Sequence, residues 1–182
     1  TLLASDLRSR GCIVTTVSRS HSSDTAHISA DLRSPEAISD VINTIVERHG
    51  ALDIVINAMG VVAFGPLDAT SIDTIEELFL TNTFAHIFLM KEALKCARQG
   101  SVLVGISGVI AEQNLPGMAT YGASKAAVRS FNEALTREAR RSGVRVIDAR
   151  PPHTETGLSS RAIAGDPPKM PVGLDPMKVA QR

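Results

Sequence analysis

Aromatic residues are scarce in this chain. It has no tryptophan, one tyrosine and five phenylalanines in 182 residues. Charge of either sign is not in excess: 19 basic residues balance 19 acidic ones, so nothing in the electrostatics supports a nucleic-acid partner. No apolar run approaches the ~18–20 residues a membrane-spanning helix needs, so no membrane span is expected. No signal-peptide pattern precedes the first helix. Only two cysteines occur, Cys12 and Cys96, with no Cys-x-x-Cys pair, which fits a reduced, cytoplasmic setting. The five histidines, His21, His27, His49, His86 and His153, show no His-x-x-x-His spacing, so no metal site is expected.

What is present is an alternation of helical and strand patterns. "CIVTTVS" (12–18) and "AHISA" (26–30) read as strands. "SPEAISDVINTIVERHG" reads as a helix, with Ser34 as cap, Pro35 in the first turn and Gly50 as stop. "LDIVIN" (52–57) reads as a strand buried on both faces. A helix is expected over 74–98, opened by a Thr74/Glu77 capping box. A strand over 101–107, a helix over 120–142 and a strand over 144–149 follow. On helix 120–142, Ala127, Phe131, Ala134 and Leu135 mark one apolar face. The pattern predicts an α/β fold of one domain, residues 1–182, with a doubly wound, mostly parallel sheet and helices on both faces. The last 32 residues hold six of the nine prolines. There, 153–175 is expected to form a lid loop, with a short helix at 156–164.

Such a sheet binds ligands beyond the C-terminal ends of its strands. Polar residues and glycines gather at these ends: Ser18 and Arg19, Asp31, Asn57 to Gly60, Ser107 and Gly108, and Arg150 to Pro152. The lone tyrosine, Tyr121, stands four positions before Lys125 in "TYGASKAAV", so the two share a helix face. An ammonium beside a phenol favours the phenolate and would bring its acid/base chemistry nearer neutral pH. An isolated pair at this spacing is equally a partly buried tyrosine beside a solvated lysine, so the context decides.

That context resembles the short-chain dehydrogenase/reductase family, over nearly the whole chain. "YGASKAAV" resembles the family's Tyr-x-x-x-Lys segment, and "DIVINAMG" (53–60) its sheet-supporting segment. Asn82 in "LTNTFAHIF" matches its helix asparagine, and "ARPPHTET" (149–156) its proline turn and threonine. The resemblance implies an oxidoreductase moving a hydride between a nicotinamide cofactor and a carbonyl or alcohol. In it Tyr121 exchanges the proton, Lys125 tunes Tyr121 and holds the ribose, and Asn82 holds a water beside Lys125. Cofactor contacts are implied at Ser18, Arg19, Asp31, Asn57, Gly60, Tyr121, Lys125, Pro151 and Thr156. The strand-end Ser18 and Arg19 stand where users of NAD place an acid, which favours NADP over NAD. Helices 74–98 and 120–142 are expected to pair with their copies in a homodimer or homotetramer, with Ala85, Phe88, Ala126 and Ser130 on the packed face.

Three departures qualify this. The family's serine, 13 residues before the tyrosine, is matched here by Gly108; either Ser107 serves in its place or the carbonyl loses one donor. Ala58, Met59 and Pro152 replace usual residues. The family's first strand and Gly-rich turn have no counterpart, and no G-x-G-x-x-G occurs. The expectation is an internal piece of a longer polypeptide, in which strands 12–18 and 52–57 flank an absent central strand and expose unpaired edges. A non-catalytic nucleotide-binding or dimerising protein of the same fold is the alternative.

Overall fold

The structure, a computed structural model, describes residues 2–181. In chain order its strands are β1 (Thr16–Ser18), β2 (His27–Ser29), β3 (Leu52–Asn57), β4 (Ala97–Ile106) and β5 (Arg145–Ala149). Its helices are α1 (Leu2–Ser9), α2 (Pro35–His49), α3 (Ile72–Phe79), α4 (Ala85–Cys96), α5 (Ala119–Ala139) and α6 (Pro176–Ala180). Every strand pair is parallel. The strands form two sheets, β1–β2 and β3–β4–β5, with no ladder between β1 and β3. The split falls where the sequence places an absent strand. "LDIVIN" is not buried on both faces: Ile54 is 49% exposed. Residues 12–15 form no strand, and Ile13 is 85% exposed. Without a partner on that side only Thr16–Ser18 pair, against His27–Ser29.

The main core joins Ile38, Val41 and Ile42 of α2 to Leu89, Met90 and Ala93 of α4, Leu103 of β4, Leu135 and Ala139 of α5 and Val146 of β5. Helix α2 follows its sequence closely. Ser34 Oγ accepts from Ala37 N at 3.2 Å, Pro35 opens the helix, and Gly50 closes it at φ 79°. The next helix begins earlier than expected. Ser71 is its cap, accepting from Thr74 N at 3.1 Å, so Thr74 lies inside the first turn. Glu77 does not close a capping box; its carboxylate accepts from Arg33 and from Thr81 Oγ1.

The helix expected over 74–98 is interrupted by a π turn at Leu80–Phe84 and ends at Cys96, where β4 begins at once. On α5 the buried face is Val128, Asn132, Leu135 and Ala139, while Ala134 is exposed. The helix ends at Ala139 in a 3-10 turn rather than reaching residue 142. The short helix expected at 156–164 is a single 3-10 turn, Ser159–Arg161.

A second, smaller core packs Val62, Ala63, Phe64, Leu78, Met118 and Tyr121, with Leu158, Ala162 and Ala164 laid against it. The segment 162–164 is tied there by two backbone bonds, Ile163 N to Val62 O at 2.8 Å and Phe64 N to Ala164 O at 2.9 Å. The loop 153–175 is therefore anchored at its middle, next to the tyrosine.

Candidate active site

The C-terminal ends of β3, β4 and β5 meet the N-terminal half of α5. The turn after β3 is braced from two sides. Asn57 Oδ1 accepts from Met59 N at 2.9 Å. Asn82 Oδ1 accepts from Val61 N at 2.9 Å, and its Nδ2 donates to Val61 O and to Ser124 Oγ, both at 3.0 Å. Asn82 lies within the π turn, a distortion that is frequent at functional sites. Its amide thereby braces the turn against α5. Between the braced residues lies Gly60. A Cβ there would stand 3.4 Å from Asn82 Oδ1 and 3.5 Å from Lys125 Nζ, so its absence keeps an open cradle beside both.

Lys125 is 5% exposed and donates to Ile106 O at 2.9 Å, a single hydrogen bond for three N–H donors. Burial pushes it down to about 8, with the Asp148 carboxylate opposing the fall. Tyr121 is 8% exposed, and burial pushes its phenol up to about 12. The cause is desolvation of the phenolate, and its direction is opposite to the lowering expected from Lys125. Ser107 is 1% exposed, and its Oγ is the buried side-chain polar atom without a hydrogen-bond partner among the described residues. Gly108 follows at φ 86°, ψ 164°, a region that side-chain-bearing residues avoid, so the backbone here calls for glycine where the family has serine.

The remaining expected residues scatter. Ser18 Oγ lies 3.4 Å from His27 Nε2 at the exposed end of β1. Arg19 beside it is exposed, and its guanidinium forms no ion pair among the described residues. Asp31 is already committed to Arg33, whose guanidinium holds its carboxyl down at about 2 and also reaches Glu77 at 2.9 Å. Pro151 O accepts from Val109 N, which seats the loop after β4 on the loop after β5. Thr156 is exposed, and its N–H donates to Thr154 O at 2.7 Å.

One group escaped the sequence reading. His86 and Asn132 are fully buried and hydrogen-bonded, between Asn57 and Asp148. Their signal in the sequence is a polar residue at a core position of α4 and of α5.

The comparisons place the chain in a family. The short chain dehydrogenase family model matches residues 3–166, and the chain belongs to that family. It is 34% identical over 119 residues to a hydroxynaphthalene reductase of Aspergillus fumigatus, covering 65% of this chain and 44% of that protein. It is 32% identical over 164 residues to dehydrogenase/reductase SDR family member 7B of Bos taurus, covering 85% and 50%. The chain thus spans about half the length of the curated relatives it matches. Its fold matches a short-chain dehydrogenase of Streptomyces avermitilis with TM-score 0.86 at 22% identity, over 99% of this chain and 76% of the other. An alcohol dehydrogenase of Thermococcus sibiricus, complexed with 5-hydroxy-NADP, matches with TM-score 0.85 at 19% identity, over 99% and 81%.

Proposed function

We propose that the protein is an NADP(H)-dependent oxidoreductase of small carbonyl compounds or their alcohols, with residues 1–182 forming part of a single dinucleotide-binding and catalytic domain. The observation that carries it is a buried, protonated Tyr121 one helical turn from a buried Lys125 that has donors to spare, with the open cradle at Gly60 beside Nζ and the orphaned hydroxyl of Ser107 nearby in sequence to the same strand end. These residues suit a nicotinamide ribose: its hydroxyls would accept the N–H groups that Lys125 does not use. When bound, NADP(H) supplies or removes the hydride.

The chain's own residues do the rest. Tyr121 donates its phenolic proton to the carbonyl oxygen, or takes one back from the alcohol. Ser107 donates a second hydrogen bond to that oxygen. Lys125 supplies positive charge that stabilises the phenolate left behind. Asn57, Gly60 and Asn82 would hold one side of the cofactor, Pro151 and Thr156 would contact its nicotinamide end, and the loop 153–175 would border the substrate. Ser18 and the unpaired Arg19 suit a ribose 2′-phosphate. Asp31 would contact adenine only through the carboxylate edge that Arg33 leaves free.

Assembly through α3, α4 and α5 belongs to the same reading. Ala85 is fully buried and drops out of the outer face, but Phe84 is 48% exposed and stacks on Phe88 at 6.3 Å. Together they offer an apolar patch to a second copy. Both cysteines are free, Cys12 exposed, which suits a reducing cytoplasm.

The test is Tyr121→Phe in the full-length protein. Turnover of carbonyl substrates falls by ~10²–10⁴ while NADPH affinity holds. Unchanged turnover defeats the mechanism. NADPH binding without turnover of any carbonyl or alcohol in a broad panel makes the protein a non-catalytic nucleotide binder.

A further inference from the structure

A chain of buried polar side chains runs beneath the active-site floor. Asn57 Nδ2 and His86 Nδ1 are 2.9 Å apart, His86 Nε2 and Asn132 Oδ1 2.8 Å, and Asn132 Nδ2 and Asp148 Oδ1 3.1 Å. Arg150 Nε donates to the other oxygen of Asp148 at 2.6 Å. His86 and Asn132 are 1% and 0% exposed. The fold makes room for the pair at Gly105, where a Cβ would stand 2.5 Å from Asn132 Nδ2 and 2.6 Å from His86 Cε1.

The direction of this chain is forced from both ends. Asn57 Oδ1 faces the Met59 N–H, a donor, so its NH2 group faces the imidazole; Nδ1 must then be the bare acceptor. At the far end Asp148 is a carboxylate that only accepts, so the NH2 group of Asn132 faces it. Asn132 Oδ1 then faces Nε2, which must carry the proton. Reversing either amide sets two donors, or a carbonyl and a carboxylate, against each other at about 3 Å. Both ends select the same tautomer independently.

We infer that His86 is a positioning residue: a neutral imidazole locked as its Nε2–H tautomer, which through Asn57 holds the 57–61 turn in place beside Lys125. The inference rests on the oxidoreductase reading only in calling that turn the cofactor floor. A charged ring would fail in three ways. Its Nδ1–H would face the Asn57 amide hydrogens, Asn57 would turn and release Met59 N–H, and a second cation would lie near Lys125. Burial opposes protonation of the ring most strongly and the hydrogen bond to Asn132 favours it; of the charged groups, Lys125 from α5 opposes it and Asp148 from β5 favours it. Phe131 covers the ring edge-on at 5.7 Å.

Nitrogen-15 NMR of the histidine-labelled full-length protein tests the tautomer, with His86 assigned by its loss in His86→Gln. A neutral ring with bare Nδ1 and protonated Nε2 is expected at neutral pH. An Nδ1–H tautomer or a charged ring there overturns the inference. Hydrogen exchange tests the positioning. His86→Leu leaves Asn57 Nδ2 and Asn132 Oδ1 buried without partners, so the Met59 amide loses protection by about tenfold while Leu103 and Val146 keep theirs. His86→Gln, which offers one acceptor and one donor, restores it. Unchanged Met59 protection in His86→Leu overturns the inference.

Should His86→Leu fail to fold, acid titration of the unmodified protein takes its place: Met59 protection falls in step with His86 protonation, and protection that stays constant through that titration overturns the inference. NADPH affinity falls about tenfold in His86→Leu and recovers in His86→Gln; affinity unmoved while Met59 is released overturns the link to the cofactor floor. Unmodified protein that binds no NADPH defeats the oxidoreductase reading, and the NMR and exchange results still decide this one.

Discussion

Gly165 sits against the carbonyl of Phe64 so closely that a Cβ at that position would overlap the oxygen, and its φ of 68° is left-handed. The contact fixes the loop 153–175 to the small core around Tyr121, because the bonds from Phe64 N to Ala164 O and from Ile163 N to Val62 O flank it. Gly165→Ala must break this tether, since the obstacle is backbone and cannot rotate away. The expected loss is ~1–3 kcal/mol of stability and faster proteolytic cleavage within 153–175. Denaturant unfolding and limited proteolysis measure both. Wild-type stability together with a wild-type cleavage pattern would show that the tether does not hold the loop.

In the proposed mechanism Ser107 supplies the hydroxyl that the family places one position later, where this chain has Gly108. The hydroxyl is at 107, buried and unpartnered, while 108 carries the positive φ. Ser107→Ala is expected to lower turnover by ~10²-fold with little loss of stability, because no intramolecular bond is removed. Gly108→Ser is expected to cost ~1 kcal/mol or more in stability without raising turnover. Steady-state kinetics and thermal unfolding of both variants check this. A Gly108→Ser enzyme faster than wild type would restore 108 as the site of the donor.

The features legible in the sequence were those written within a few residues. Ser34, Pro35 and Gly50 specify both ends of α2 locally, and Tyr121 and Lys125 need only a helix to become neighbours. What the sequence hid depends on partners far along the chain. Glu77 looks like half of a capping box until Arg33, 44 residues away, takes its carboxylate. The strand 12–18 shrinks to three residues because strand length is set by pairing, and β1 pairs on one side alone. The upward shift of the Tyr121 phenol has a related origin: its burial among Val62, Phe64 and Met118 is tertiary, and desolvation there raises it. Gly105 has no meaning until His86 and Asn132 are seen to occupy the space of its missing side chain.

Cofactor choice hangs on the end of β1. Ser18 Oγ has only a long contact to His27 and a 3.3 Å bond to Ser20 O, and Arg19 is unpaired among the described residues. A 2′-phosphate would therefore meet a free guanidinium without breaking an ion pair. In the full-length protein NADPH is expected to bind at least tenfold tighter than NADH, and Ser18→Asp to reverse the order by setting a carboxylate against the phosphate. Fluorescence titration with both nucleotides measures it. Equal or tighter binding of NADH by the unmodified protein excludes the assignment.

Two buried groups at the site give alkaline stability a defined shape. Lys125 falls from 10.5 to about 8 in the fold, so between these values the unfolded chain holds a proton that the folded chain does not, and stability rises with pH. Tyr121 rises from 10.0 to about 12, so between those values the folded chain holds the extra proton, and stability falls with pH. The two contributions together peak near pH 10. Lys125→Met is expected to abolish the rise from pH 8, and Tyr121→Phe to abolish the fall towards pH 12. Because Tyr121 is the sole tyrosine, its phenolate absorbance reads the second group directly. In the folded protein it should titrate near 12, and after unfolding near 10. A phenolate forming at pH 10 or below in the folded, nucleotide-free protein would mean that Lys125 outweighs burial after all.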